Sequence, residues 1–280
     1  MSDVAHVLVY ENAFASPPVF VADMQTSNDG DTANLRWQNK DIGAVDVWVD
    51  EEQSADIETF HPAETVGYLV IDSPVPAAEL YEDFESYVSG EQPLDWMDTA
   101  AGNSLEENDA LFEVLDLGGE KVFGTASTAT NIHSHYVGAA LEDLSHYEYS
   151  GRMMITNSSG GVGVTFFSQY PLEDAYYRLR RYSGKPAFHI APHGTGISGD
   201  IDTGVVSEEN TWYQFRIQVE DAGAQTEIRA KVWADGEGEP AEWQVQAYDA
   251  TSSRLISGTV GLWSMYRGEK YWDELSVTRP

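Results

Sequence analysis

The sequence predicts an all-β protein of two antiparallel domains, a small sandwich followed by a larger jelly roll. Three observations predict it. Runs of roughly five to nine residues rich in Val, Ile, Tyr, Phe and Trp recur along the chain, bounded by Gly, Pro, Asn or Asp. That is the pattern of short strands joined by turns. Amphipathic helix is nearly absent, with 105–115 (LEENDALFEVL) the only short candidate. Finally, Asp72-Ser-Pro-Val-Pro-Ala-Ala78 sets two prolines in a small-residue stretch, the composition of a stiff, extended linker.

The elements follow in order. Residues 1–73 hold strand-like runs at 6–10 (HVLVY), 18–24 (PVFVADM), 44–49 (AVDVWV) and 65–71 (TVGYLVI). A proline-rich linker is expected at 74–79 and the larger domain at 80–280. Its runs include 147–155 (YEYSGRMMI), 163–170 (GVTFFSQY), 176–182 (YYRLRRY), 187–191 (AFHIA), 212–220 (WYQFRIQVE), 227–234 (EIRAKVWA), 243–248 (WQVQAY) and 258–266 (GTVGLWSMY). Gly160-Gly-Val-Gly163 reads as a turn between two of them. Many short strands with regular turn signals pack as sandwiches or barrels.

Charge narrows the function. The 280 residues carry 47 Asp and Glu against 15 Lys and Arg, a net charge of −32. Such a chain repels phosphate backbones and anionic lipid, so nucleic acid and membrane surfaces are not expected partners. Lys is scarcer than Arg, 5 against 10. Acidity with little lysine fits a high-salt environment, where carboxylates keep the surface hydrated and salt screens their repulsion. A calcium-loaded protein is the rival explanation. With no cysteine, disulfides, thiolate metal sites and thiol nucleophiles are excluded. No apolar run reaches the ~18 residues of a membrane span. The opening MSDVAHVLVYENAF has neither a basic nor a long apolar region, so no secretory signal is expected.

Two resemblances refine the domains. Phe14, Pro18 and Val19, an acidic turn with Gly30, Leu35-Arg36-Trp37, the alternating Val45, Val47 and Val49, and Val66–Val70 together resemble the H-type lectin family over about sixty residues. That resemblance implies a six-stranded antiparallel sandwich that trimerises and binds sugars near a subunit interface. In the second domain, LYEDFESY at 80–87 and KYWDELSVT at 270–278 resemble the ends of concanavalin A-like and laminin-G-like jelly rolls. The resemblance implies that first and last strands are neighbours, that Phe84, Leu275 and Val277 enter the core, and that a structural Ca²⁺ sits beside Asp83, Glu85 and Asp273.

Candidate site residues come from alternation. On a strand at 176–182, Tyr176, Arg178, Arg180 and Tyr182 share one face. Three of ten arginines lie within four residues, against an acidic background. Guanidinium groups bind carboxylate or sulfate bidentately and Tyr rings stack on sugars, as a groove for an acidic or hydroxylated glycan requires. The alternative is a ladder of Arg–carboxylate pairs across strands. Arg216, Arg229, Trp233 and Gln244 could extend the same face, with His189 nearby. His133 and His135 share a face if 131–136 is a strand, a possible metal pair without a placed third ligand. The loop 50–64 (DEEQSADIETFHPAE) is the densest polar cluster and could hold a hard cation.

These readings converge on non-catalytic recognition of a cell-surface glycan or glycoprotein. The expected setting is extracellular or on a virion, as a fibre, spike or turret of a virus with a salt-loving host. A homo-oligomer, such as a trimer, would gain avidity there. Two alternatives stand beside this. Arg178, Arg180, His189, His193, Tyr176 and Gln169 supply the residue types of a polysaccharide lyase, though no lyase or glycosidase strand motif occurs. The other is a purely structural oligomer.

Overall fold

The computed structural model describes residues 4–12, 14, 18–28, 33–51, 62–71, 78–108, 110–141 and 144–279. The chain divides into two compact units, Met1–Val75 and Pro76–Pro280. All strand pairings are antiparallel.

The first unit contains β1 (His6–Val9), β2 (Val19–Met24), β3 (Ala33–Gln38), β4 (Ala44–Glu51) and β5 (Val66–Ile71). They form a three-stranded sheet, β1-β4-β3, and a two-stranded sheet, β2-β5. Strand β4 alternates strictly, and Val45, Val47 and Val49 are fully buried. Tyr10 and Phe20 complete a small core with Val45 and Val47. Five strands are found among the described residues, not the six the H-type lectin resemblance implies. Most of the acidic loop, 52–61, lies outside them, so its proposed cation site is not described. Its two ends are engaged locally. Arg36 Nε pairs with Asp50 at 3.3 Å, and Glu64 Oε1 accepts the Asn28 amide at 2.6 Å.

The second unit opens with β6 (Leu80–Glu82), β7 (Trp96–Thr99), β8 (Glu113–Asp116), β9 (Lys121–Thr125) and β10 (Ile132–Tyr136). It continues with β11 (His146–Ile155), β12 (Gly161–Ser168), β13 (Tyr176–Tyr182), β14 (Lys185–His193), β15 (Ser198–Asp200) and β16 (Asp202–Val206). The last five strands are β17 (Tyr213–Asp221), β18 (Thr226–Ala234), β19 (Val245–Asp249), β20 (Thr259–Met265) and β21 (Lys270–Thr278). A seven-stranded sheet runs β16-β14-β13-β12-β20-β10-β7. A nine-stranded sheet runs β15-β19-β18-β17-β11-β21-β9-β8, with β6 also paired to β21. The two ends of the unit therefore meet: Leu275 faces Glu82 and Val277 faces Leu80.

The core lies between these sheets. Val162, Val164 and Phe166 of β12, Leu179 of β13 and Leu262 of β20 meet Tyr149 of β11, Phe215 and Ile217 of β17 and Val232 of β18 in one apolar cluster. Burying each large side chain stabilises the fold by about 1.5–3 kcal/mol. Phe84, Leu275 and Val277 are fully buried in it. Polar links cross the core as well. Trp272 Nε1 of β21 donates to the Gly163 carbonyl of β12 at 3.1 Å, and Tyr177 Oη donates to Asp249 at 2.7 Å. These links hold the two sheets in a fixed register, which sets the geometry of the outer faces.

Two expectations are corrected. Among the described residues, 105–115 form no helix. Their donors go elsewhere: the buried Asp98 carboxylate accepts the amides of Leu111 at 3.1 Å and Phe112 at 2.8 Å, and β8 begins at Glu113. Gly160-Gly-Val-Gly163 is not a turn throughout, because β12 starts at Gly161.

Candidate functional site

Strand β13 builds the site. Tyr177 and Leu179 point into the core, and Arg181 donates to the carbonyls of Ser158 and Gly160, both at 3.0 Å. Tyr176, Arg178, Arg180 and Tyr182 take the opposite face of the seven-stranded sheet. Register decides what lies beside them. One row across β14, β13, β12, β20, β10 and β7 reads His189, Arg180, Gly163, Trp263, His133, Thr99. The next row on this face reads Ala191, Arg178, Thr165, Gly261, His135, Met97.

Glycine makes the first row possible. A Cβ on Gly163 would lie 2.4 Å from the Leu179 carbonyl oxygen and 2.8 Å from Arg180 Cβ. The missing side chain leaves the space over β12 to its large neighbours. The guanidinium carbons of Arg178 and Arg180 each lie 5.2 Å from the centre of the Trp263 ring. Arg178 also sits 5.5 Å from the Tyr176 ring and Arg180 4.9 Å from the Tyr182 ring. Trp263 is fully buried, and its Nε1 donates to Asn131 Oδ1 at 3.1 Å.

A ring ladder flanks the arginines. Tyr170 stacks on His135 at 4.3 Å, His135 on His133 at 5.3 Å, and Tyr176 on His193 at 5.0 Å. His133 bridges the two stacks, 5.0 Å from Tyr176. His193 Nε2 lies 2.7 Å from Asp174 Oδ2, which gives that end of the ladder its own counter-charge.

The arginines have no such contact pair. Among the described residues, neither Arg178 nor Arg180 forms an ion pair, whereas Arg152 reaches Asp273 at 2.5 Å and Arg254 reaches Asp221 at 2.6 Å. Arg178 is only 7% exposed, and its single described hydrogen bond runs to Tyr176 Oη at 3.4 Å. Arg178 Nε, Arg180 Nε, Thr165 Oγ1 and His133 Nε2 are buried without a hydrogen-bond partner among the described residues. Burial pushes the Arg178 guanidinium below its ordinary range, and burial with the Arg178 charge pushes Arg180 down to about 10. Burial also holds His189 down to about 4. It holds His133 well below the usual histidine value, with His135, Arg178 and His193 adding to the effect. The face is therefore rich in donors and cations, with His133, His135 and His189 held neutral by burial.

The other predicted residues do not join it. Arg216, Arg229 and Trp233 lie on β17 and β18, in the nine-stranded sheet. Arg–carboxylate pairs, the alternative weighed for strand 176–182, occur on this other sheet instead. Arg216 pairs with Glu148 and with Glu239 at 3.0 Å, and Arg229 lies 3.5 Å from Glu227. Gln244 spends its amide on the backbone of Val232, accepting at 2.8 Å and donating at 3.0 Å. Trp233 is half-buried beside Gln214. His189 does join, directly opposite Arg180.

The calcium ligands are likewise not assembled. Asp273 is buried and paired with Arg152, whose guanidinium would repel a cation. Asp83 Oδ1 accepts the Glu85 amide at 3.2 Å, and Glu85 Oε1 accepts the Lys121 amide at 2.9 Å. No cluster of three His, Asp or Glu with metal-binding geometry occurs among the described residues, His133 and His135 included. These residues do not fit a bound ion.

Sequence reasoning missed Trp263, Thr165 and the paired role of Gly163. Their signal is a small residue alternating with a core residue on β12, which marks a close approach only once the neighbouring strands are known. A cleft of about 410 Å³, lined by Tyr136, Gly138, Ser168, Tyr170, Pro171 and Gly258, lies at the far end of the ring ladder. None of the unpartnered atoms is in it.

No protein-family profile matches the sequence, and no curated protein matches it. Solved structures with a similar layout include the carbohydrate-binding module CBM66 from Bacillus subtilis, at 13% identity and TM-score 0.42, covering 66% of this chain and 95% of that one. Peanut lectin aligns at 9% identity and TM-score 0.44, covering 72% and 97%. The catalytic domain of a glycoside hydrolase family 131 protein from Coprinopsis cinerea aligns at 14% identity and TM-score 0.43, covering 71% and 92%. At such identities each neighbour's chemistry remains its own, and the function of this chain has to be argued from its own side chains.

Proposed function

We propose that this protein recognises a glycan without transforming it, through the outer face of the seven-stranded sheet around Arg178, Arg180 and Tyr182. One observation carries the reading: donors and aromatic rings converge on one face, and several of the donors have no hydrogen-bond partner among the described residues. Unsatisfied buried donors are costly, about 1–3 kcal/mol each, unless a ligand supplies acceptors. Sugars are dense in oxygen acceptors and present flat faces to rings. Arg180 and Tyr182 are half-buried and so form the approachable edge of the set.

The same face favours binding over hydrolysis. A glycosidase needs two carboxyl groups flanking the bond it cleaves. The rows hold Arg, His, Thr and Trp, and the two carboxylates beside them are already paired, Asp202 of β16 with Lys185 at 3.2 Å and Asp174 with His193 at 2.7 Å. A lyase needs a base, and the Tyr176 hydroxyl, next to the arginines, is pushed up by burial, which disfavours the tyrosinate a base requires. Carried on a virion or cell surface, as composition and domain layout suggest, the face would serve attachment.

A glycan array probed with the whole chain tests this. The expected result is retention on a subset of polysaccharides, lost in Arg180→Gln, with no unsaturated product detected by ultraviolet absorbance. Release of such a product would make the protein a lyase. Absence of binding to every glycan, with assembly disrupted in the variant, would make the face a subunit contact.

A further inference from the structure

We propose that the ligand is anchored by an oxyanion, a uronate carboxylate or a sulfate ester on the glycan, held between Arg178 and Arg180. The inference rests on the glycan reading and decides between an acidic and a neutral ligand.

Trp263 gives the first reason. In a site for neutral sugar, an exposed ring serves as the stacking platform. Here the Trp263 ring is fully buried, and two guanidinium groups lie 5.2 Å from its centre. An incoming group at this point meets cations, not an open indole. The second reason is the balance of charge. A cation over an aromatic ring gains about 2 kcal/mol when desolvated. Taking an ion out of water costs several kcal/mol. Ring contacts alone leave a buried and a half-buried cation, side by side, undercompensated. Among the described residues neither has a carboxylate in ion-pair contact, while Arg152, Arg216 and Arg254 are all paired.

The third reason is that every vacant atom on this face is able to donate. Arg178 Nε and Arg180 Nε can only donate, the Thr165 hydroxyl can donate, and neutral His133 can present an N–H at Nε2. Thr165 sits directly opposite Arg178 in the register, and His133 opposite Trp263. Donors gathered around two cations call for an acceptor-only group with several oxygens, which describes carboxylate and sulfate. The nearby carboxylates Asp174 and Asp202 are occupied, by His193 at 2.7 Å and Lys185 at 3.2 Å.

The test is isothermal titration of the full chain at fixed ionic strength with three probes: oligogalacturonate, a sulfated dextran oligosaccharide, and a neutral cello-oligosaccharide. Arg180→Gln and Arg180→Lys are compared with Arg229→Gln, a control on the other sheet, and all are checked by thermal melting. At least one acidic probe should bind and the neutral one should not. Arg180→Gln should weaken acidic binding about 10- to 100-fold, in keeping with charged hydrogen bonds of about 1.5–3 kcal/mol. Arg180→Lys should fall between, and Arg229→Gln should match the parent. Preference for the carboxylate or the sulfate probe identifies the source of the oxyanion. Equal binding of neutral and acidic probes would overturn the oxyanion and leave the glycan reading intact. Acidic binding untouched by Arg180→Gln would overturn the assigned position. Failure of all three probes in titration, with retention on some neutral glycan of the array, would again remove only the oxyanion. Failure on both would remove the glycan reading as well.

Discussion

His135 shows how the site's chemistry is written into stability. Its ring is buried between Tyr170 and His133, with Thr99 Oγ1 at 3.4 Å and Ser168 Oγ at 3.3 Å, and among the described residues it forms no ion pair. Burial holds it down to about 3. An ordinary histidine titrates near 6.5, the value expected in the unfolded chain. The sign follows. At pH 7 both states carry a neutral ring and nothing is gained or lost. Below about pH 6.5 the unfolded chain takes up a proton that the folded chain refuses, so stability falls steadily as pH drops toward 3. His189, held to about 4, acts in the same direction over a narrower window. Replacing His135 with Gln removes one such proton. Between pH 7 and pH 4.5 the free energy of unfolding of His135→Gln should rise relative to the parent by about 2–3 kcal/mol, whatever the offset at pH 7. Urea denaturation across that range measures it, and parallel pH profiles would contradict the buried neutral ring.

At the scale of elements, β11 and β21 are joined by more than their ladder. Arg152 of β11 is paired with Asp273 at 2.5 Å and with Glu120, beside the irregularity between Ser150 and Arg152. Breaking a buried pair from one side costs about 3–5 kcal/mol, because the other charge stays buried. Asp273→Asn should destabilise by about that much, and Asp273→Asn with Arg152→Met should recover most of it. Because Arg152 already occupies the Asp273 carboxylate, calcium or a chelator should leave the melting temperature of the parent unchanged; a calcium-dependent rise would restore the ion site. The same elements show what a sequence can disclose. The alternation of β4, β13 and β17 was readable, since residues i and i+2 must share a face. Which strands sit side by side was not. Arg180 meets Trp263 only because β12 lies between β13 and β20, a pairing between distant segments set by core packing. Arg216 shows the same alternation as Arg178 and ended on the other sheet, where Glu148 and Glu239 neutralise it. The 105–115 segment has a helical period, but a buried Asp98 from another strand claimed its amides. Local pattern fixed the faces, and only tertiary contacts could assign them to a site.

The whole molecule carries −32, and that charge has a thermodynamic consequence separate from any single pair. Described ion pairs are few relative to 47 acidic residues, and several are exposed on both sides, such as Arg36 with Asp50. Exposed pairs contribute about 0–1 kcal/mol each. With 15 Lys and Arg for 47 acids, most carboxylates have no cation to pair with, and the net repulsion is one that unfolding relieves by spreading the charges apart. Salt screens it. The Debye length falls from about 10 Å at 0.1 M to about 3 Å at 1 M, so surface repulsion between neighbours is largely removed over that range. The melting temperature should rise steeply with KCl up to about 1 M and flatten beyond, where only the weaker general salt effect on apolar burial remains. Binding of an acidic glycan would respond in the opposite direction, since screening weakens its attraction to Arg178 and Arg180. A protein adapted to high salt must then hold its ligand by close, partly buried contacts, which screening reaches least, and this is the environment in which the two arginines sit. Melting temperatures and titrations in the same KCl series test both halves. A melting temperature indifferent to KCl would remove the high-salt reading of the composition. An acidic ligand lost entirely by 1 M would mean its contacts are exposed and the buried arginine pair is not what holds it.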